Sequence, residues 1–547
     1  MNEYIVRDNG RISIPRALAS LPALLSMQAR QRPDQPYFTI EGKTYTFGET
    51  HEIVQRVASA FAQLRIEENT NIGILLPNRA AFVFTMFAAA HLGAAIVAIN
   101  PEFRGPLLAA ALGNVQCELL VVDEVSAPGL AALDQEVLAG ITTVVHVDGL
   151  TTELPNAIRQ ISWSELENTV EKFVRPAAVT QSSTQVISFT SGSTGPAKGV
   201  QITVGQAMDV ACTYIHATNL SHDDVLYTPF AFFHGMSTRL GLVPALITGA
   251  HVVIGRRFSA SKYWQEANYC GATIGQTLPT MTTLLKAQPP SDQDRAHGIT
   301  RMYNSRADEE FEQRFGVRLI EAYGMTEIGL VIYSGYPERR SGAAGRVHID
   351  WEMQIVDEDD LPVLAGAPGE LVFRPKAPWL ISPGYVGRPQ ETLNAWRNLW
   401  FHSGDIGRQD EDGYVYFIDR RKERIRRLGE NISSFDVESL ICGHPDIREC
   451  AALAYPASMG EDDVRVIVVK DPGSSLQAGE LYAWLVTVMP KYMLPRYIEF
   501  VDRLPRTPTN KIEKYQLKEA GLSADVWDRE HHAPSRRKEQ SEQRENA

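Results

Sequence analysis

The sequence is poor in the features of an exported, metal-stapled or nucleic-acid-binding protein. Its 547 residues hold five cysteines, Cys117, Cys212, Cys270, Cys442 and Cys450, scattered and odd in number, with no CxxC pair and no histidine in metal-ligand spacing. That excludes a disulfide framework and a zinc site of the usual kind, and leaves reduced thiols. Basic residues are outnumbered, 53 Lys and Arg to 66 Asp and Glu, and the net charge of -13 argues against general affinity for nucleic acid or an anionic membrane. The first ten residues, MNEYIVRDNG, lack the basic and then apolar pattern of a secretory leader, so a cytoplasmic location is expected. Long apolar runs are scarce too. The one stretch of membrane-spanning length, residues 80–99 (AAFVFTMFAAAHLGAAIVAI), is interrupted by His91 and Gly93. It is expected to split into a helix over 80–91, a cap at Gly93 and a strand over 95–99, all buried.

What is present is a long chain of average globular composition, 44% hydrophobic and 22% charged. A single core stops growing at roughly 250 to 300 residues, so at least two domains are required. Short apolar runs at 71–76, 119–122 and 252–254 alternate with helical patterns at 47–64 and 262–269, the rhythm of an α/β protein with largely parallel sheets. Residues 288–298 (QPPSDQDRAHG) read as a surface loop. There is no internal repeat. After Asp419 a basic run, DRRKERIRR, precedes a compact helix and strand pattern. Expected boundaries are therefore 1–419 for a large N-terminal domain of stacked α/β subdomains, 420–424 for a hinge and 425–525 for a small mobile α+β domain. Residues 526–547, highly charged and almost without apolar anchors, are expected to be a disordered tail.

The strongest chemical signal is FTSGSTGPAKGV, residues 189–200, directly after a strand-like run. Glycines let a backbone turn tightly and aim N–H groups at phosphate oxygens, hydroxyls add donors, and Lys198 adds positive charge. The loop should hold a polyphosphate. It is not a Walker A loop, because from Gly192 that spacing requires glycine at Ala197 and a hydroxyl at Gly199. Further motifs follow in order: FFHG at 232–235, YGMTE at 323–327, HSGD at 402–405, DRRKERIRRLGEN at 419–431 and LPRTPTNK at 504–511. With these the chain resembles the adenylate-forming superfamily of acyl-CoA synthetases, luciferases and nonribosomal peptide adenylation domains. The likeness runs from about residue 37 to 522. Within it, residues 302–319 followed by YGMTE, and DRRxxxIRRxGENIS, are most similar to the crotonobetaine/carnitine-CoA ligase branch.

That resemblance implies an ATP-dependent carboxylic acid:CoA ligase with Mg²⁺, which forms an acyl-AMP and passes the acyl group to coenzyme A. It places Thr190, Ser191, Gly192, Ser193, Thr194, Gly195 and Lys198 around the β- and γ-phosphates, Thr326 at the α-phosphate and Glu327 at the metal. Tyr323 is expected to stack on adenine, and Asp405 to hold the ribose diol with Arg420 beside it. Lys511 is expected to be the mobile catalytic lysine, Lys422 the hinge, and Gly429 to face the pantetheine channel. The family usually has glycine before the lysine, where this chain has Asn510, and a second glycine before Gly429, where it has Leu428. The acid pocket falls on His234, Gly235, Met236, Asn304, Ser305 and Gly324, with His234 either gating the substrate or packing beneath it. Arg239, about a helical turn past His234, either pairs with a second carboxylate or polar group on the acid or is solvated or ion-paired. Loading of a carrier protein, silent nucleotide binding and luciferase-like oxidation are the competing readings. The acid itself and the existence of a homo-oligomer stay open.

Overall fold

The computed structural model describes residues 5–8, 11–149, 153–170, 172, 174–190, 198–420, 425–427, 430–432, 434–457, 461–505, 512 and 514–532. They fall into two units, one from Met1–Thr190 with Lys198–Arg421 and one from Lys422 onward.

Among the described residues the first unit holds three seven-stranded sheets. The first runs from the edge Lys198–Thr203 through Thr184–Thr190, Ala95–Ala98, Asn71–Leu75, Leu119–Val122 and Thr143–His146 to Arg159–Ser162, parallel except at that first edge. Its inner strands are buried on both faces, which is why they read as unbroken apolar runs such as LLVV at 119–122. The second sheet runs from Arg318–Ile320 through Arg301–Tyr303, Ile274–Gln276, Val225–Thr228, His251–Ile254 and Pro36–Ile40 to Lys43–Thr46, antiparallel only in the last hairpin. Here the N-terminal strand Pro36–Ile40 joins a strand far along the chain, and Thr39 Oγ1 lies 2.8 Å from His251 Nε2 across a separation of 212 residues.

The helices follow local chemistry. Phe47–Gln63 begins with a reciprocal cap: Thr46 Oγ1 accepts from Glu49 N–H at 3.1 Å and Glu49 Oε2 accepts from Thr46 N–H at 2.9 Å. Ala80–Leu92 is buried from Ala81 onward and ends at Gly93 with φ of 75°, as the sequence predicts. Its 13 residues rise about 20 Å, short of the roughly 30 Å of a bilayer core. No helix among the described residues is long and apolar enough to cross a membrane. The helix instead packs into the main core, where Phe82 stacks on Phe232 with ring centres 4.9 Å apart.

The third sheet departs from the expected parallel rhythm. Ala322–Met325, Gly329–Tyr333, Gly345–Val347, Tyr414–Arg420, Phe401–Gln409, Gly369–Pro375 and Trp351–Val356 pair in that order and antiparallel throughout. Ala322–Met325 with Gly329–Tyr333, and Phe401–Gln409 with Tyr414–Arg420, are joined by short turns that force antiparallel pairing, while the longer connection from Pro375 to Phe401 carries the helix Pro389–Ala395.

The second unit pairs Ile425–Arg427 with Glu430–Ile432, and builds a four-stranded sheet from Ile447–Pro456, Asp462–Lys470, Tyr497–Phe500 and Trp527–Asp528. At 526–532 the structure differs from the expected tail of 526–547: Trp527–Asp528 pairs with Tyr497–Phe500 and a short helix Arg529–His532 follows, because Trp527 supplies the apolar anchor that the charged composition around it obscures, while residues 533–547 lie outside the described residues. The 288–298 segment is an exposed loop, as expected. It carries the turn Asp292–Arg295, tied down by Arg314 Nε to Asp294 Oδ2 at 2.7 Å.

Candidate active site

Thr184–Thr190 leads into the phosphate loop and Lys198–Thr203 leads out, two antiparallel strands in which Thr190 pairs with Lys198. Ser191, Gly192, Ser193, Thr194 and Gly195 lie outside the described residues. The return strand is held on its other side as well. Gln201 N–H donates to Gly384 O at 3.1 Å and Val386 N–H to Gly199 O at 2.8 Å. Tyr385 is thereby set against Lys198, whose Nζ is 4.8 Å from the ring centre. Tyr385 Oη donates to Glu327 Oε1 at 2.9 Å. Burial, and then the Glu327 charge, raise the phenol pKa, so Tyr385 stays a hydrogen-bond donor.

Glu327 and Thr326 sit in the tight turn between Ala322–Met325 and Gly329–Tyr333, not at the start of a helix, where an isolated Thr-Glu pair commonly occurs. Gly329 takes φ of +71°, and a Cβ on Gly324 would run into Gly329 O. Gln206, on the helix Val204–Thr218, fixes the turn by donating from Nε2 to Thr326 O at 2.9 Å and Glu327 O at 3.0 Å. Ser382 N–H adds a third bond to Glu327 O at 2.8 Å. Three donors on two carbonyls hold the Glu327 carboxylate in place with only 7% of the residue exposed.

At the other end of the same motif, Tyr323 Oη donates to Asp405 Oδ2 at 2.8 Å. Asp405 is 2% exposed, and its own N–H donates to Ser403 Oγ at 3.1 Å. Arg420 is its backbone partner across the sheet. The Tyr323 ring is roughly parallel to Phe373 and Phe417, at 5.9 and 6.2 Å. A flat aromatic surface and a carboxylate thus lie side by side, joined by one hydrogen bond.

The proposed acid-pocket residues cluster just past the carboxyl ends of parallel strands in the second sheet, where α/β folds collect ligands. His234, Gly235 and Met236 follow Val225–Thr228, and Asn304 and Ser305 follow Arg301–Tyr303. His234 precedes a short helix, its ring centre 4.3 Å from that of Phe233. Met236 packs against the main core. Asn304 is buried. Its Nδ2 donates to Arg306 O at 2.7 Å, while its Oδ1 finds no partner among the described residues. Ser305 and Gly324 are exposed. Lys511, Lys422 and Gly429 lie outside the described residues.

The structure therefore joins Lys198, Glu327, Tyr323 and Asp405 through the YGMTE turn, and sequence reasoning missed two of the residues that do the joining. Tyr385 is 58 residues from Glu327, and only the glycine and proline turn SPGYVG hinted that 382–387 is shaped for close approach. Gln206 carries no local signal, lying on a largely buried helix 120 residues from Thr326. Among the described residues no group of three His, Cys, Asp or Glu stands ready for a metal, so Glu327 is a lone candidate ligand.

A lysine linked through Tyr385 to an acidic turn, with a buried aspartate beside an aromatic face, equips a protein for nucleotide chemistry of the adenylate-forming kind. The family model described as AMP-binding enzyme matches residues 25–386, and that for the AMP-binding enzyme C-terminal domain matches 436–511. The chain belongs to the AMP-binding enzyme family. It is 30% identical, over 486 residues, to the crotonobetaine/carnitine-CoA ligase of Salmonella enteritidis, a match covering 87% of this chain and 93% of that protein. The o-succinylbenzoate CoA synthetase of Bacillus subtilis shares the fold with a TM-score of 0.78 at 24% identity, over 92% of this chain and 99% of its own. So does an amide bond synthetase of Marinactinospora thermotolerans, at 0.76 and 21%, over 92% and 100%. With these relatives the protein is an AMP-forming acid-thiol ligase of the acyl-CoA synthetase type.

Proposed function

We propose that the protein joins a small carboxylic acid to coenzyme A in two steps at the site described. In the first, a carboxylate oxygen attacks the α-phosphorus of ATP and pyrophosphate leaves with the bond electrons, giving an acyl-AMP. In the second, the CoA thiol loses its proton and attacks the acyl carbonyl, and AMP departs. The continuous line from Lys198 through Tyr385 to Glu327 carries this reading. It sets a cation at the foot of the phosphate loop and a fixed carboxylate beside it, which is what bringing anions together demands.

A lone Glu327 suits Mg²⁺, which takes most of its ligands from phosphate and water; bound there, the ion would neutralise developing charge on the polyphosphate. Asp405, aligned by Tyr323, has the acceptor geometry for a ribose diol. By motif position Thr326 contacts the α-phosphate, Lys511 bridges it to the attacking carboxylate and Gly429 opens the path of the thiol. Residues 420–424, with Lys422, are the hinge on which the second unit exchanges the two steps. Five free cysteines fit a reducing cytoplasm.

The test is a panel of acids with ATP and Mg²⁺, following AMP and pyrophosphate with and without CoA, beside Lys511→Ala. AMP formed in step with a thioester and lost in the variant supports the ligase. Acid-dependent acyl-AMP with no thioester would move the acceptor to a carrier protein.

A further inference from the structure

Arg239 lies in the π-helical stretch Thr238–Leu242 that follows the short helix Gly235–Ser237. Such stretches recur at functional sites because the extra residue per turn re-aims the side chains around it. This one is pinned from two sides, by Gln276 Nε2 donating to Leu240 O at 2.7 Å and Ser237 Oγ donating to Phe230 O at 2.6 Å. The Arg239 side chain covers Gly235 so closely that a Cβ there would stand 2.5 Å from Nη2 and 2.7 Å from Nε. Arg239 is only 8% exposed. It nevertheless makes no hydrogen bond or ion pair with any described residue, and its electrostatic neighbour is Glu327. Burial pushes its pKa down to about 10, which still leaves it cationic at neutral pH.

A guanidinium presents a planar fork of N–H donors, and hiding it from water without acceptors is among the costlier arrangements in a protein. The seat is built for it, since Gly235 leaves the room and the π stretch supplies the aim. What is missing is the acceptor. We propose that Arg239 is a specificity-determining residue that receives a second anionic group, a carboxylate or its planar equivalent, at the far end of the acid, so that dicarboxylic acids are the preferred substrates. This rests on the acid:CoA ligase reading and deepens it. Carnitine and crotonobetaine each carry a quaternary ammonium, which an unpaired guanidinium repels. This chain therefore selects the opposite charge at the distal position.

The full-length protein, Arg239→Lys, Arg239→Met and Gly235→Ala are to be compared on malonate, succinate and glutarate, on acetate, propionate and butyrate, and on crotonobetaine, reading AMP release with the KM for ATP and the melting temperature. The expected result is a kcat/KM for one dianionic acid roughly 100-fold or more above its monoanionic counterpart, with crotonobetaine inert. That ratio collapses in Arg239→Met and in Gly235→Ala, where the guanidinium is pushed from its seat, and is partly kept in Arg239→Lys. The KM for ATP stays put, and Arg239→Met melts no lower than the parent, as expected when an unpaired buried charge is removed. A parent enzyme that uses monoanionic acids or crotonobetaine as well as dianionic ones overturns the proposal while leaving the ligase reading standing. So does an Arg239→Met variant that loses both acid classes equally, raises the KM for ATP or melts lower. If no acid of any kind releases AMP, the ligase reading fails and the proposal with it.

Discussion

Each unit of the molecule hides an arginine from water, and the two are treated in opposite ways. In the second unit Arg465 is 3% exposed and fully engaged: Nε donates to Glu499 Oε1 at 2.6 Å, Nη2 to Glu499 Oε2 at 3.3 Å, and Nη1 to Leu517 O at 2.8 Å. The pair ties adjacent strands and a helix end into one body. In the first unit Arg239 makes no such hydrogen bond or ion pair with any described residue, and its electrostatic neighbour, Glu327, accepts a hydrogen bond from the neutral phenol of Tyr385. The lesson is that a closed ion pair serves the fold, while a buried guanidinium with no acceptor among the described residues is suited to a ligand of opposite charge.

Breaking the closed pair should have the largest effect. Glu499→Leu strands Arg465 and is expected to lower stability by about 3 to 5 kcal/mol in urea melts. Adding Arg465→Met should recover most of that loss, since a well-packed apolar pair replaces the ions; a double variant as weak as the single would show that the charges themselves hold the sheet.

The units should also diverge with pH. Burial raises Asp436, in the second unit, to about 7, above its unfolded value, so the folded state retains a proton that the unfolded state has lost. This contribution falls away as pH rises from about 4 toward 7. Burial lowers His251, in the first unit, to about 4, below its unfolded value near 6.5, so here stability is lost as pH falls from about 6.5 toward 4. Hydrogen exchange resolved by unit should show opposite slopes, flattened by Asp436→Asn in one and His251→Gln in the other.

The smallest effect sharpens the open site. Tyr385→Phe removes one hydrogen bond to Glu327 and should cost about 1 kcal/mol of stability or less, yet lower AMP formation about tenfold by loosening the carboxylate. A raised demand for Mg²⁺ in that variant, eased by Mg²⁺ excess, would mark positioning and not mere packing.

Features that depend on neighbours in the sequence were legible there. The Gly93 cap, the LLVV strand and the motif order from 189 to 511 all rest on short-range pattern, and the cap and the strand lie where the pattern puts them. What stayed hidden depends on distant partners. Tyr385 becomes meaningful only when its segment stitches to Lys198–Thr203, and the antiparallel third sheet appears only once its strands pair. Arg239 was placed about one turn past His234, but a π stretch has no sequence signature, so neither its burial nor its seat over Gly235 was visible.

The second sheet carries one more consequence, which concerns time. Pro36–Ile40 leaves the ribosome early, yet its parallel partner His251–Ile254 emerges some 212 residues later. At about 5 to 20 residues per second that is a delay on the order of 10 to 40 s. Over that interval Phe38 waits for Val252, and for part of it Phe82, on the largely apolar helix Ala80–Leu92, waits for Phe232. The order in which the chain is made, as much as the stability of the finished sheet, sets how long a nascent molecule must be shielded from its neighbours.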